Sequence, residues 1–218
     1  MKWSYSSMKL FEQCPRKYFH LRVLKDIVEP ESEAMLYGTR FHEAAELYIK
    51  DGTQLPPQFS FLQETLDALK AKPGRKLCEH KMGVTKDLKP CGFHDKDMWV
   101  RGIADLLIID DDGLKAWVID YKTGNDKYPD RDQLILMSLM VFAHFPHIRQ
   151  VNSALLFVVK NSMVKHKMTI DDKDFHWWRY RERVAKLANS FANNVWNPTQ
   201  TPLCNWCDVK TCEFNPKH

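Results

Sequence analysis

Apolar positions recur along the chain with two periods, and the switches between them set an order of elements. Over residues 6–24, Met8, Leu10, Phe11, Tyr18, Phe19 and Leu21 make a helical stripe, with Ser6 or Ser7 placed to cap it and Pro15 interrupting it. A second helical pattern covers residues 33–50 and stops at Asp51-Gly52; a third covers 58–72, between Pro56-Pro57 and Pro73-Gly74. The period then becomes that of strands: a short one at 76–84, and two strong ones at 98–109 and 114–123 with Asp112-Gly113 as the turn between them. A helix rich in Leu and Met at 130–144 follows, then a hairpin of 151–160 and 163–170 turned at Asn161-Ser162, then a long helix at 171–193. Helices, strands, a helix, strands and a helix predict a mixed α/β domain around a central sheet.

The hairpin around Asp112-Gly113 brings two carboxylates together. With that turn, or with a four-residue loop over 111–114, paired positions sum to 225, and Asp105 and Asp120 satisfy the sum. Directly paired residues share a face with Cβ atoms roughly 5 Å apart, where two like charges destabilise a sheet unless something neutralises them. Lys122, two residues beyond Asp120, shares that face. On its own the pattern equally fits charges on a solvated sheet face. The flanking runs Ala116-Trp117-Val118-Ile119 and Leu106-Leu107-Ile108-Ile109 point to burial instead, and buried carboxylates call for partners or a cation. Gly102 and Gly124, close to both, leave room for a ligand or another backbone. Two carboxylates, a divalent cation and a lysine that can activate water are the parts of phosphodiester hydrolysis.

Composition adds limits. The chain has 218 residues, 32 Lys+Arg against 28 Asp+Glu, and is 44% hydrophobic, which fits one folded domain and excludes a disordered or fibrous chain. There is no run of about 18 apolar residues, and Met1-Lys2-Trp3-Ser4 does not open a signal peptide, so the expectation is a cytoplasmic protein without a membrane span. The net charge of +4 permits nucleic acid without requiring it. Basic residues cluster on the first helix (Arg16, Lys17, Arg22, Lys25) and the last (Arg179, Arg181, Arg183, Lys186), the latter interleaved with Trp177, Trp178 and Tyr180. Such clusters neutralise phosphates, and aromatic faces stack unpaired bases; for Trp177 and Trp178 the core of an amphipathic helix is the favoured place.

Six cysteines change the picture more. Cys204-Asn205-Trp206-Cys207 with Cys212 is a compact trio on an irregular tail, at a spacing suited to zinc or an iron–sulfur cluster, with free thiols as the alternative. Cys78 and Cys91, with His80 and His94, make a conceivable zinc site, but the spacing fits no firm rule and buried thiols are the favoured reading.

Taken in order, these motifs resemble the RecB-like branch of the PD-(D/E)XK nucleases, which includes CRISPR-associated RecB-like and phage exonucleases. The resemblance rests on Cys14-Pro15 within the first helix, Gly38-Thr39-Arg40-Phe41-His42, Gly102-Ile103-Ala104-Asp105, Asp120-Tyr121-Lys122-Thr123-Gly124, and Gln133 with Met137 where the family has tyrosine. It implies a restriction-endonuclease-like core: a central mixed sheet flanked by helices, with the two chain ends joined by a metal cluster. It implies one nuclease domain over 1–218, divided into an N-terminal helix (1–30), a core (31–195) and a cysteine-bearing tail (196–218). Mg²⁺ or Mn²⁺ is expected on His42, Asp105, Asp120 and the Tyr121 backbone carbonyl. Lys122 is expected as the water-activating group, Gln133 as an orienting one, and Glu79 as either a further acidic residue of the site or an edge-strand glutamate in a salt bridge. Cys14, Cys204, Cys207 and Cys212 are expected to hold a [4Fe–4S] cluster, with zinc as the alternative. The implied activity is exonucleolytic hydrolysis of DNA ends or single strands in recombination, repair or replication, in a bacterial or phage-infected host. Arg16, Lys17, Arg179 and Arg183 are candidate DNA contacts without strong sequence preference, and a homo-oligomer is compatible with the family. A catalytically inactive DNA-binding module and an RNA-processing nuclease are the rival readings.

Overall fold

The computed structural model describes residues 1–124, 126–127 and 129–216. The backbone packs as two compact units, one formed by Ser32–Trp177 and the other by Met1–Glu31 together with Trp178–His218.

In the smaller unit, β1 (Trp3–Ser4) leads into α1 (Tyr5–Gln13). The cap of α1 is Ser4, two or three residues before the Ser6 or Ser7 that the sequence pattern offers, and Ser7 completes the capping box. Cys14 ends α1 in an extended conformation and caps α2 (Pro15–Tyr18), so Pro15 sits at the first position of a new helix instead of breaking one. A π-helical turn, Phe19–Leu24, follows. The rest of this unit comes from α6 (Lys173–Asn193) beyond Trp177 and from the tail. Phe11, Tyr18, Leu187 and Trp196 form its core, with the Tyr18 and Trp196 rings stacked at 6.0 Å.

The larger unit begins with α3 (Glu33–Asp51), capped by Ser32 and ended by Gly52 at φ +75°, and α4 (Gln63–Ala71), preceded by the 3₁₀ turn Pro57–Leu62. Strands β2 (Arg75–Thr85), β3 (Pro90–Cys91), β4 (Met98–Ile109), β5 (Lys115–Lys122), β6 (Gln150–Phe157) and β7 (Ser162–Thr169) make a sheet in the order β3-β2-β4-β5-β6-β7. Only β5 and β6 run parallel, because α5 (Arg131–His144) connects them as a crossover. Every residue of α5 from Leu134 to Phe142 is buried, as a helix apolar on all sides must be. On the other face of the sheet Phe41, Leu62 and Leu66 pack against Leu106, Ile108 and Tyr121. The β4–β5 register is the one the sequence predicts: Leu106 faces Ile119 and Ile109 faces Ala116. This mixed sheet flanked by helices is the restriction-endonuclease-like architecture. No helix among the described residues is long and apolar enough to cross a membrane.

The start of β2 depends on a backbone that only glycine supplies at low cost. Gly74 has φ +114°, and a Cβ there would sit 2.2 Å from the Ile109 carbonyl oxygen. Gly74→Ala is therefore expected to lose about 2 kcal/mol or more of stability. Urea unfolding checks this as a lower midpoint with an unchanged slope.

Candidate active site

Three elements converge where β4 and β5 part. α3 supplies His42, β2 supplies Glu79 and β4 supplies Asp105, and one ligand atom from each lies within 4.8 Å of the other two. His42 Nδ1 is 3.5 Å from Asp105 Oδ1 and 3.7 Å from Glu79 Oε1. Neighbouring vertices of a coordination shell with metal–oxygen distances of about 2.1–2.6 Å are roughly 3.0–3.7 Å apart, so this trio fits one divalent cation. Among the described residues it is the only such group.

Each carboxylate is held differently. Asp105 Oδ2 accepts a 2.6 Å hydrogen bond from the Tyr121 backbone N–H, which leaves Oδ1 directed at His42. Asp120 accepts from Gln133 Nε2 at 2.6 Å through Oδ1. Its buried Oδ2 lies 2.6 Å from Lys122 Nζ in an ion pair. The sequence reading grouped His42 with Asp105 and Asp120 and left Glu79 as a further possibility. In the structure Glu79 lies with His42 and Asp105, and Asp120 contacts Lys122 and Gln133.

The electrostatics match an anionic centre short of positive charge. Burial, and then the charge of Asp105, push the Asp120 carboxyl up to about 6 against the pull of Lys122 and His42. Burial alone would lower His42, but its hydrogen bonds to Asp105 and Glu79 and their charges raise it to about 10. The carboxylates thus recruit a proton onto His42. A ligating imidazole must be neutral, so that proton and a divalent cation at the same place exclude each other.

Glu79 reaches the trio through an unusual backbone. Cys78 pairs with Leu106 and His80 with Ala104, which puts Glu79 opposite Asp105 by count, yet that pair is missing from the ladder. Glu79 has φ +45°, a left-handed conformation uncommon for a glutamate. The pleat reverses there. Cys78 packs against the α3 and α4 core. The His80 ring instead lies 5.9 Å from Phe145, on the α5 side. Cys78 and His80 therefore face away from each other, which removes them as joint ligands. The sequence left Glu79 ambiguous because its register with β4 passes through a long connection that no turn motif sets.

The mouth of the site is lined by Met35, Gly38, His42, Glu46, Glu79 and Thr123. Gly38 allows α3 to approach the end of β5, since a Cβ there would be 3.1 Å from Thr123 Oγ1. Gly102 serves packing instead of ligand approach: a Cβ on it would meet the sulfurs of Met137 and Met140 at 3.0 and 3.1 Å. Met137, in place of the family's tyrosine, fills that space and is buried.

In the smaller unit, Cys14, Cys204, Cys207 and Cys212 all line one cavity. Backbone N–H groups point at their sulfurs, from Lys17 and Thr199 to Cys14 and from Thr201 to Cys204, at 3.4–3.5 Å. No three of these sulfurs lie within 4.8 Å of one another, whereas tetrahedral zinc with Zn–S of about 2.3 Å needs thiolates roughly 3.8 Å apart. The basic residues proposed as DNA contacts sit in this unit with partners: Lys17 pairs with Glu29 at 2.8 Å, Arg16 Nε donates to the Trp196 carbonyl, and Arg183 grips Glu12 with two bonds. Arg179 is half-buried on α6. Trp177 is buried against Trp99, as the amphipathic-helix reading requires, but Trp178 is 57% exposed.

Residues 2–212 match the sequence profile of the PD-(D/E)XK nuclease superfamily. Among curated proteins, none matches the chain. Among solved structures, the crystal structure of SSO0001 is similar at 14% identity with a TM-score of 0.45, over 98% of this chain and 86% of that one.

Glycine at position 79 would accept the left-handed backbone without a Cβ, which offsets its own entropic cost, but would remove a ligand oxygen. Glu79→Gly is expected to shift unfolding free energy by no more than about 1 kcal/mol and to weaken Mn²⁺ binding at least about tenfold. Urea unfolding and titration calorimetry check the two halves.

Proposed function

The chain belongs to the PD-(D/E)XK nuclease superfamily, whose members hydrolyse phosphodiester bonds of nucleic acid with divalent metals, and on that footing we propose a DNA exonuclease of the RecB-like branch. Its substrates in this reading are DNA ends or single strands, and its setting is recombination, repair or replication. The observation that carries the proposal is the convergence of His42, Glu79 and Asp105 beside the Asp120–Lys122 pair.

His42, Glu79, Asp105 and Asp120, with the Tyr121 backbone carbonyl, would hold Mg²⁺ or Mn²⁺. When bound, the cation polarises the scissile phosphate and offsets the charge that builds on it. The protein's own groups do the rest. Lys122 orients the attacking water and answers negative charge in the transition state, its ammonium steadied by Asp120. Gln133 holds Asp120 Oδ1, which leaves Oδ2 to Lys122. Asp105 is fixed by the Tyr121 N–H, which keeps its other oxygen facing His42. The four cysteines of the smaller unit, in the same proposal, bind a structural [4Fe–4S] cluster. Their shared cavity and the N–H groups directed at sulfur support a metal-bound thiolate group there, with zinc as the alternative.

Cleavage of labelled DNA with Mn²⁺, and its loss with EDTA, tests the activity, and an RNA substrate run alongside separates the RNA-processing reading. Lys122→Ala is expected to lower cleavage by roughly 100-fold or more while folding and DNA binding persist; wild-type cleavage by that variant overturns the mechanism. Anaerobically purified protein is expected to carry iron and a visible absorption band, both lost in Cys204→Ser. Stoichiometric zinc in place of iron overturns the cluster assignment.

A further inference from the structure

The larger unit carries a second group of side chains, just past Glu79, that the metal chemistry does not use. After the pleat reversal at Glu79, His80 lies by Phe145, and Gly102, the partner of Met82, abuts Met137 and Met140 of α5. The residues between them, Lys81 on β2 and Arg101 on β4, therefore emerge on the opposite face, the one that carries α3 and His42. Gly83, the direct partner of Arg101, has no side chain, and the chain after β3 lies against it: a Cβ there would be 2.6 Å from the Gly92 carbonyl oxygen. That close approach carries Phe93 to the two cations. The Arg101 guanidinium is 4.9 Å from the Phe93 ring centroid and Lys81 Nζ is 6.0 Å from it.

These cations differ from Lys17 and Arg183 on the terminal helices. Lys17 and Arg183 are neutralised by glutamates 2.8 and 2.7 Å away. Lys81 is exposed, Arg101 is half-buried, and among the described residues neither makes a salt bridge. An aromatic ring orders them without cancelling their charge. Along β2, Lys81 is roughly 7 Å past Glu79 and Gly83 roughly 13 Å past it. Unneutralised charge at that reach, on the face where the carboxylate site opens, is complementary to the first few phosphates of a strand whose scissile bond lies at His42, Glu79 and Asp105.

We propose that Lys81 and Arg101, ordered by Phe93, form a track for the phosphodiester backbone of the DNA strand entering the site. The inference rests on the nuclease reading, and deepens it by naming where the substrate strand runs. The contacts proposed are with phosphate, which positions a strand without reading its sequence.

The test is binding of a fluorescent single-stranded DNA oligonucleotide by the full chain in EDTA, across a salt series, for wild type, Lys81→Gln, Arg101→Gln and the double variant. Each lost contact is expected to reduce the slope of log K against log[salt] by about 0.7, and the double variant by about 1.4. Lys81→Arg is expected to restore the slope, which a general loss of folding would not allow. A double variant with the wild-type slope and affinity overturns the track. Because binding is read without metal, the two ideas separate: wild type that binds the strand but never cuts it with Mn²⁺ fails the nuclease reading, whereas unchanged binding in a protein that cuts fails the track alone.

Discussion

Asp105 and Asp120 are 8% and 5% exposed where β4 and β5 separate, and two like charges buried that close together are unfavourable unless each oxygen finds a partner. The surroundings supply partners one by one: the Tyr121 N–H, the Gln133 amide, the Lys122 ammonium and a proton on His42. Those partners come from α3, β5 and α5, so the need to answer two carboxylates draws on every layer of the larger unit. His42, held by Asp105 and Glu79, is the place where a divalent cation would change the balance most. A site arranged in this way is poised to take up metal, because metal removes a cost that the folded chain otherwise bears.

Glu79 shows how the backbone serves the same demand. A regular β2 would keep Cys78 and His80 on one face and leave residue 79 on the other. The left-handed turn at Glu79 separates them and delivers a third acidic group to the trio. It also resets the alternation of the outer half of β2, which sends Met82 inward to α5 and leaves Lys81 outside. One strained residue therefore links the candidate metal centre to the charged face beyond it.

The smaller unit answers a different problem. Its segments come from both ends of the chain. Aromatic packing of Phe11, Tyr18 and Trp196 with Leu187 unites them, and the stacking of Trp3 on Tyr180 and the Glu12–Arg183 pair add to that. The cysteine cavity lies within this unit, whose chain ends are associated by ordinary packing.

Much of this was legible in the residues. Alternation and turn residues determine the β4–β5 hairpin, because Asp112-Gly113 allows only one register that keeps both apolar runs inside, and that register sets Asp105 against Asp120. The same logic places Lys122, and the apolar continuity of residues 134–142 marks a buried crossover helix. Three things were decided only by the tertiary structure. Glu79 joins the trio through a register that runs across a connection holding β3, where local sequence imposes no constraint. Gly102 meets Met137 and Met140 because α5 packs there, which a glycine in a strand does not reveal. Whether a basic residue is neutralised depends on partners as much as 171 positions away, as for Arg183 and Glu12, so charge clusters on the terminal helices and the pair Lys81 and Arg101 look alike in the sequence and differ in the fold. Local pattern determines which side chains share a face; only long-range packing decides which charges meet.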